Sequence, residues 1–237
     1  MTQSAQEKLF SAKRLGGYAS LAEHEANFTL IRHISYKIGI LEVVIRNQID
    51  SVLLEKEGDW WQCLPASIHI NGDLTCQEGL ISKQSMGFWL KVVEHFKIYD
   101  KVFNLDFLDR LDFKRYYPKN KNRFSHTNHI LRKNAHLKRH EKADLLLQLL
   151  RTLRNRAFHF ENLYKYTPKG DPRLSVKITA DKHTDKPNQT EQKEKPQELY
   201  IALHPDKIVL FLEDLLGSFA PELVSYANGG SGGKEST

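Results

Sequence analysis

Eight apolar residues limit what this chain can fold into more than anything else in it. Phe28, Ile31, Ile34, Ile38, Leu41, Ile45, Ile49 and Val52 recur at steps of three or four. A helix brings the same face round every 3.6 residues, so this spacing lays one continuous apolar stripe along a single long helix. Ser20-x-x-Glu23 stands just before it, a capping-box pattern that satisfies free N–H groups at a helix start. Gly39 costs some helix stability without breaking the run, and Gly58 ends the pattern beside Asp59-Trp60-Trp61. Similar spacing predicts a second helix over 80–101, with Phe88, Trp89, Val92, Val93 and Phe96 apolar. A third runs over about 140–164, with Leu146, Leu149, Leu150, Leu153 and Ala157 on its buried face, and a short one covers 205–219.

Only 174–179 (LSVKIT) and 198–204 (ELYIALH) alternate as strands do. The polar run 180–198 joins them and carries almost no large apolar side chain, as a loop or disordered insert would. Two strands alone are marginal, so this β-hairpin must pack on helices or on a partner's edge. The fold class expected is mainly α, a helical bundle with a small appended hairpin. With 237 residues, 40% hydrophobic and 27% charged, residues 1–227 suffice for one domain with a real core. Residues 228–237 (NGGSGGKEST) read as a flexible Gly/Ser tail of the kind appended artificially. No apolar run approaches 18 residues and the N-terminus lacks the apolar core of a secretory signal, so no membrane span is expected and the cytoplasm is the expected location.

The net charge of +6 is unevenly placed. Residues 110–142 hold eleven Lys and Arg against Asp112 and Glu141, a net +9, so the rest of the chain is slightly acidic. Such a stripe attracts polyanions, RNA or DNA first among them; the plainer reading is a solvated basic loop. No helix-turn-helix or zinc-finger signature favours DNA. Tyr116 and Tyr117 lie within the stripe, available either to stack on bases or to pack internally. Cys63 and Cys76, with His69 between them, lack the spacing of a metal site, and reduced thiols are the better reading. No metal or other cofactor is expected.

The string that carries chemistry is Leu153-Arg154-Asn155-Arg156-Ala157-Phe158-His159-Phe160-Glu161. RNA can be cut by its own 2′-hydroxyl if one group moves protons near neutral pH and a fixed cation meets the charge that builds on the phosphate oxygens. Imidazole, with an unperturbed pKa of ~6.5, suits the first task. Guanidinium, permanently charged and forked, suits the second. Five residues on a regular helix turn by about 140°, so Arg154 and His159 converge only if the helix ends or bends between them, or if two helices pool their residues across a two-fold axis. Arg-x4-His also arises by chance, and a His near a helix C-terminus is favoured by the dipole alone.

Five segments in register give the string a context. Residues 23–61 contain Leu41-Glu42-Val43-Val44-Ile45-Arg46-Asn47, followed by Asp59-Trp60-Trp61; then come Met86-Gly87-Phe88-Trp89, the basic stretch 116–139, and Arg154-Asn155-Arg156-x-x-His159. In these the chain resembles the Abi-like (abortive infection) family of bacterial HEPN-domain proteins, over roughly residues 8–165 and a C-terminal helix. The resemblance implies an α-helical HEPN bundle and a metal-independent endoribonuclease leaving 2′,3′-cyclic phosphate ends. It makes Arg154 and His159 the catalytic pair, with Asn155 in support. It implies a homodimer whose two motifs form one cleft, and a role in phage defence or as a toxin held in check by a protein or small-RNA antitoxin. Arg156, Lys119, Lys121, Arg123, Arg132, Lys133, Lys138 and Arg139 are then the expected RNA contacts. Glu42, Arg46 and Asn47 would face the motif helix, either as a structural polar network or as cleft residues. Trp60, Trp61, Phe88 and Trp89 are expected in the core or an interface. The chain departs from the family pattern in two places: Phe160 stands where a second His is common, and Asn162 where Pro is. The other class of function these features allow is a non-catalytic RNA-binding or regulatory HEPN module.

Overall fold

A computed structural model describes residues 3–72, 81–123, 136–179 and 198–229. Its central element is the long helix expected from the apolar stripe. After short helices α1 (Gln3–Phe10) and α2 (Ala12–Leu15), α3 runs from Leu21 to Glu57, 37 residues and roughly 55 Å at 1.5 Å per residue. The Ser20 hydroxyl accepts the Glu23 N–H at 3.2 Å, and the Glu23 carboxylate reaches back to the Ala19 N–H at 3.4 Å, one residue beyond the reciprocal partner of a capping box. The helix stops where Gly58 adopts φ 61°, so Trp60–Cys63 forms a separate 3-10 turn. Ile34, Ile38, Leu41, Ile45 and Ile49 are wholly buried.

Around α3 pack α4 (Met86–Phe96), α5 (Tyr99–Val102), α7 (Arg139–Phe158), α8 (Ile208–Phe219) and α9 (Pro221–Ala227), while α6 (Leu105–Arg110) packs on α7. Trp60, Phe88 and Trp89 are buried and Trp61 is half-buried, all in one apolar cluster; the Trp60 indole N–H donates to buried Asp50 at 2.8 Å. The helix expected over 80–101 is broken at Lys97, which takes a left-handed conformation and turns Ile98 and Val102 into the core. Lys37, fully buried in mid-α3, meets the Glu213 carboxylate at 3.4 Å and the Asn228 amide oxygen, tying α8 and the end of α9 to the central helix.

The two expected strands pair antiparallel as β1 (Ser175–Thr179) and β2 (Glu198–Ala202), with Ser175 opposite Ala202 and Thr179 opposite Glu198. Val176, Leu199 and Ile201 turn inward, and β1 lies on α7. Asn120, 3% exposed, stands in for a strand residue beside β2: its amide donates to the Ala202 C=O and its oxygen accepts the Ala202 N–H, both at 2.8 Å. The fold is thus mainly helical with a small two-stranded antiparallel sheet. Among the described residues, no helix is long and apolar enough to cross a membrane. The insert, except Glu198, and the tail from Gly230 lie outside the described residues.

One carboxylate inside this fold predicts a measurable pH response. Burial pushes the Asp144 carboxyl of α7 above its usual range, against the opposing hydrogen bond that Gln148 donates at 2.7 Å. A raised folded pKa means that the native state holds its proton longer than the unfolded chain, so stability falls as pH climbs through the raised value. Asp144→Asn is expected to melt higher than wild type at neutral pH, with the gap closing once pH drops below the ordinary carboxylate range. Melting curves of both proteins across pH check this; equal shifts at every pH contradict it.

Candidate functional site

The motif lies on the last two turns of α7. The helix ends in a Schellman motif, with the Glu161 N–H bonded to the Arg156 C=O at 2.9 Å and the Phe160 N–H to the Ala157 C=O at 3.0 Å. Phe160 occupies the left-handed position at φ 52°, where glycine is usual. Such a conformation costs a side-chain-bearing residue roughly 1–2 kcal/mol. Tertiary contacts offset that cost. The Phe160 ring stacks on Phe28 of α3 at 5.3 Å, and Arg14 Nη2 donates to the carbonyls of His159 (3.1 Å) and Phe160 (3.4 Å). The helix therefore ends six residues before the 164 expected from periodicity, directly at the motif histidine.

A polar clamp from the N-terminal region fixes the turn that follows. Asn27, fully buried, donates to the Glu161 C=O at 3.1 Å and the Tyr18 hydroxyl at 3.2 Å, and accepts the Leu163 N–H at 2.9 Å. Asn162 donates to the Gly17 C=O at 3.0 Å and the Glu23 carboxylate at 2.8 Å. Buried His24 sits among Phe10, Tyr18 and Phe28 at centroid separations of 4.9–5.0 Å, its Nε2 unpartnered among the described residues.

Arg154 is gathered with two of its three expected companions. Its Nε donates to Glu42 Oε1 at 3.2 Å, and Arg46 Nη2 approaches the same oxygen at 3.6 Å. One carboxylate thus serves two guanidiniums, leaving a net positive charge, and the buried Arg46 Nε has no partner among the described residues. The Arg154 guanidinium lies 5.2 Å over the Phe158 ring, and its Nη1 donates to the Asn155 side-chain oxygen at 3.4 Å. Asn47 is exposed and outside this network. His159 is exposed, and its backbone N–H still donates to the Asn155 C=O at 3.1 Å, so it remains on the helical path. The Arg154 and His159 side chains consequently leave α7 about 140° apart, and the helix end comes one residue too late to make them converge within one chain.

A polar cleft of about 330 Å3 opens along the neighbouring face of α7, lined by Gln148, Arg151, Thr152, Asn155, Arg156 and Glu161. Burial lowers the Arg156 pKa, with Arg173 adding like-charge repulsion and Glu161 opposing. Gly87 of α4 lets Arg151 approach: a Cβ there would sit 3.4 Å from the guanidinium.

The basic stretch is less free than its composition implied. Arg139 makes a two-pronged pair with Asp109 (2.7 and 2.5 Å), Lys119 meets Asp171 at 3.3 Å, and Arg115 meets Asp214 at 2.9 Å. Lys142 donates to the Leu108 C=O at 2.7 Å. These carboxylates lie outside 110–142, so counting charge along the stretch missed them. Lys121, Arg123 and Lys138 are exposed; Lys119 and Lys121 border a second hollow of about 240 Å3 with Glu198, Leu199 and Tyr200. Arg132 and Lys133 lie outside the described residues, as does Cys76. Tyr116 and Tyr117 are core residues rather than stacking platforms. Both are buried; their hydroxyls donate to Asp214 at 3.1 Å and Asp171 at 2.8 Å, and burial pushes the Tyr116 pKa far up.

Sequence reasoning missed Arg14, Asn27 and Arg151. The capping box brought Glu23 to notice, but nothing local marks Arg14 and Asn27, whose partners at the end of α7 lie 134 to 146 positions away. Compared with protein-family models, curated proteins and solved structures, the chain finds no match.

Proposed function

We propose that the chain is a metal-independent endoribonuclease of the HEPN type, acting in phage defence or as a toxin restrained by a protein or RNA antitoxin. The observation that carries this reading is the end of α7. An exposed imidazole stands at a helix terminus held by Arg14 and Asn27, and an arginine one turn earlier is oriented by Glu42. Imidazole moves the protons and guanidinium meets the phosphate charge; neither step calls for a metal. The wide divergence of the two side chains favours a site pooled between two copies, in which Arg154 of one protomer serves the strand with His159 of its partner. Exposed Val43 and Phe158, flanking Glu42 and Arg154, offer apolar surface for that association.

The test is incubation of the purified, partner-free protein with total RNA, with and without EDTA, and mapping of the new ends. Cuts that persist in EDTA and leave 2′,3′-cyclic phosphates support the proposal; cuts abolished by EDTA overturn it. The second reading, a non-catalytic RNA-binding module, draws on Phe160: the residue in the place of a second His is a packing anchor with no proton to give. Salt-dependent RNA binding with no product on any RNA supports that reading.

A further inference from the structure

The cleft beside the motif holds two cations with no acceptor among the described residues. Arg14, Arg46, Arg115, Arg139 and Arg154 each donate a hydrogen bond to oxygen. The guanidiniums of Arg151 and Arg156, which line the cleft, make no hydrogen bond or close ion pair among the described residues. Among the described residues that line the cleft, Glu161 is the one carboxylate. Arg156 is half-buried and Arg151 exposed; leaving the half-buried guanidinium unsatisfied is costly, and an anion with several acceptor oxygens reaching both removes that cost. The other lining groups suit the same ligand: the Thr152 hydroxyl and the Gln148 and Asn155 amides all donate. Arg151 also rests on Gly87 in the first turn of α4, where the helix end carries partial positive charge.

We infer that this cleft is a phosphate-binding site for single-stranded RNA, seating backbone phosphodiesters next to the strand cut at the end of α7. The inference rests on the ribonuclease reading for its choice of ligand. Forked guanidiniums match phosphate oxygens two at a time, and a cleft of this size takes a nucleotide-sized unit rather than a large ligand. Asn155 belongs both to the cleft and to the Arg154 network, so a strand seated on Arg151 and Arg156 passes directly to the motif. The site lies outside the basic stretch, three of whose cations, Arg115, Lys119 and Arg139, are held by Asp214, Asp171 and Asp109.

Binding of a fluorescent 12-nucleotide RNA, followed by anisotropy across a salt series in the non-cleaving His159→Ala background, tests the assignment. Arg151→Ala with Arg156→Ala is expected to weaken binding about tenfold or more and to flatten the salt dependence by about 0.7 for each phosphate no longer neutralised. Arg151→Lys with Arg156→Lys keeps the charge and should retain much of the affinity. Lys56→Ala with Lys101→Ala, an equal charge reduction elsewhere, should change it less than about twofold. Circular dichroism melts confirm that each variant is folded. Unchanged affinity and salt slope in the alanine pair overturn the site, even if wild type cuts RNA. Complete displacement of the RNA by about 1 mM inorganic phosphate also overturns it, because a free anion rather than a strand would then be the ligand. Loss of binding in the alanine pair, alongside a wild type that cuts no RNA, keeps the site and removes the nuclease.

Discussion

His159→Ala is expected to slow RNA cleavage ~10²–10⁴-fold, the usual worth of a general acid–base, while leaving the melting temperature nearly unchanged. The ring is exposed and makes no side-chain hydrogen bond among the described residues; its backbone bonds to Asn155 and Arg14 survive the substitution. Arg154→Ala should cut activity comparably, since Glu42 keeps Arg46 as a partner and the fold loses little. The divergence of the two side chains makes a sharper experiment possible. If Arg154 and His159 work from different protomers, mixing the two inactive variants creates heterodimers with one intact site of two. About a quarter of wild-type activity then returns, half of the dimers being mixed in a symmetric association. If both act within one chain, mixing restores nothing. Cleavage by His159→Ala at the wild-type rate would falsify the catalytic role outright.

Asn27→Ala is expected to destabilise the protein by about 2–4 kcal/mol, because it removes a fully buried side chain and strands one buried and one part-buried backbone group and a hydroxyl together. The buried Leu163 N–H and the part-buried Glu161 C=O lose their partner, and the Tyr18 hydroxyl loses its donor. Urea unfolding of wild type and variant measures the difference. Asn162→Ala, whose bonds are less deeply buried, should cost less than Asn27→Ala. A difference below about 1 kcal/mol for Asn27→Ala shows that the turn holds without it. Where the folded fraction is kept high, cleavage should still fall, because the turn positioned by Asn27 begins at His159.

Periodicity made α3, the body of α7, the hairpin and the Ser20 cap legible, because each follows from neighbours within a turn or a strand pair. Two helix ends were not. At Lys97 and Phe160 the chain enters the left-handed region on residues that carry no local stop signal, and the second is held by Phe28 and Arg14 from the other end of the sequence. The Glu42, Arg46 and Arg154 cluster was readable from motif context; the exclusion of Asn47 was not, since only the packed helices decide which flank of α3 faces α7. Charge was legible as a sum and misleading as a surface. The stretch from 110 to 142 looked free until Asp214, Asp171 and Asp109 folded against Arg115, Lys119 and Arg139, whereas Arg151 and Arg156, outside that stretch, share a cleft and have no acceptor among the described residues. Tyr116 and Tyr117 illustrate the same limit: their burial depends on α8 and on the turn bearing Asp171, neither near them in sequence.

Asn120 has a bearing on how this protein keeps to itself. A two-stranded sheet has two open edges, and an open edge invites a strand from another molecule to add on. By holding both backbone groups of Ala202 with one side chain, Asn120 blocks the inner end of the β2 edge against such recruitment. An incoming strand would have to displace two 2.8 Å bonds before gaining any of its own there. A single buried amide thereby acts as a chain terminator for sheet growth, guarding a small hairpin that lacks the neighbours to guard itself.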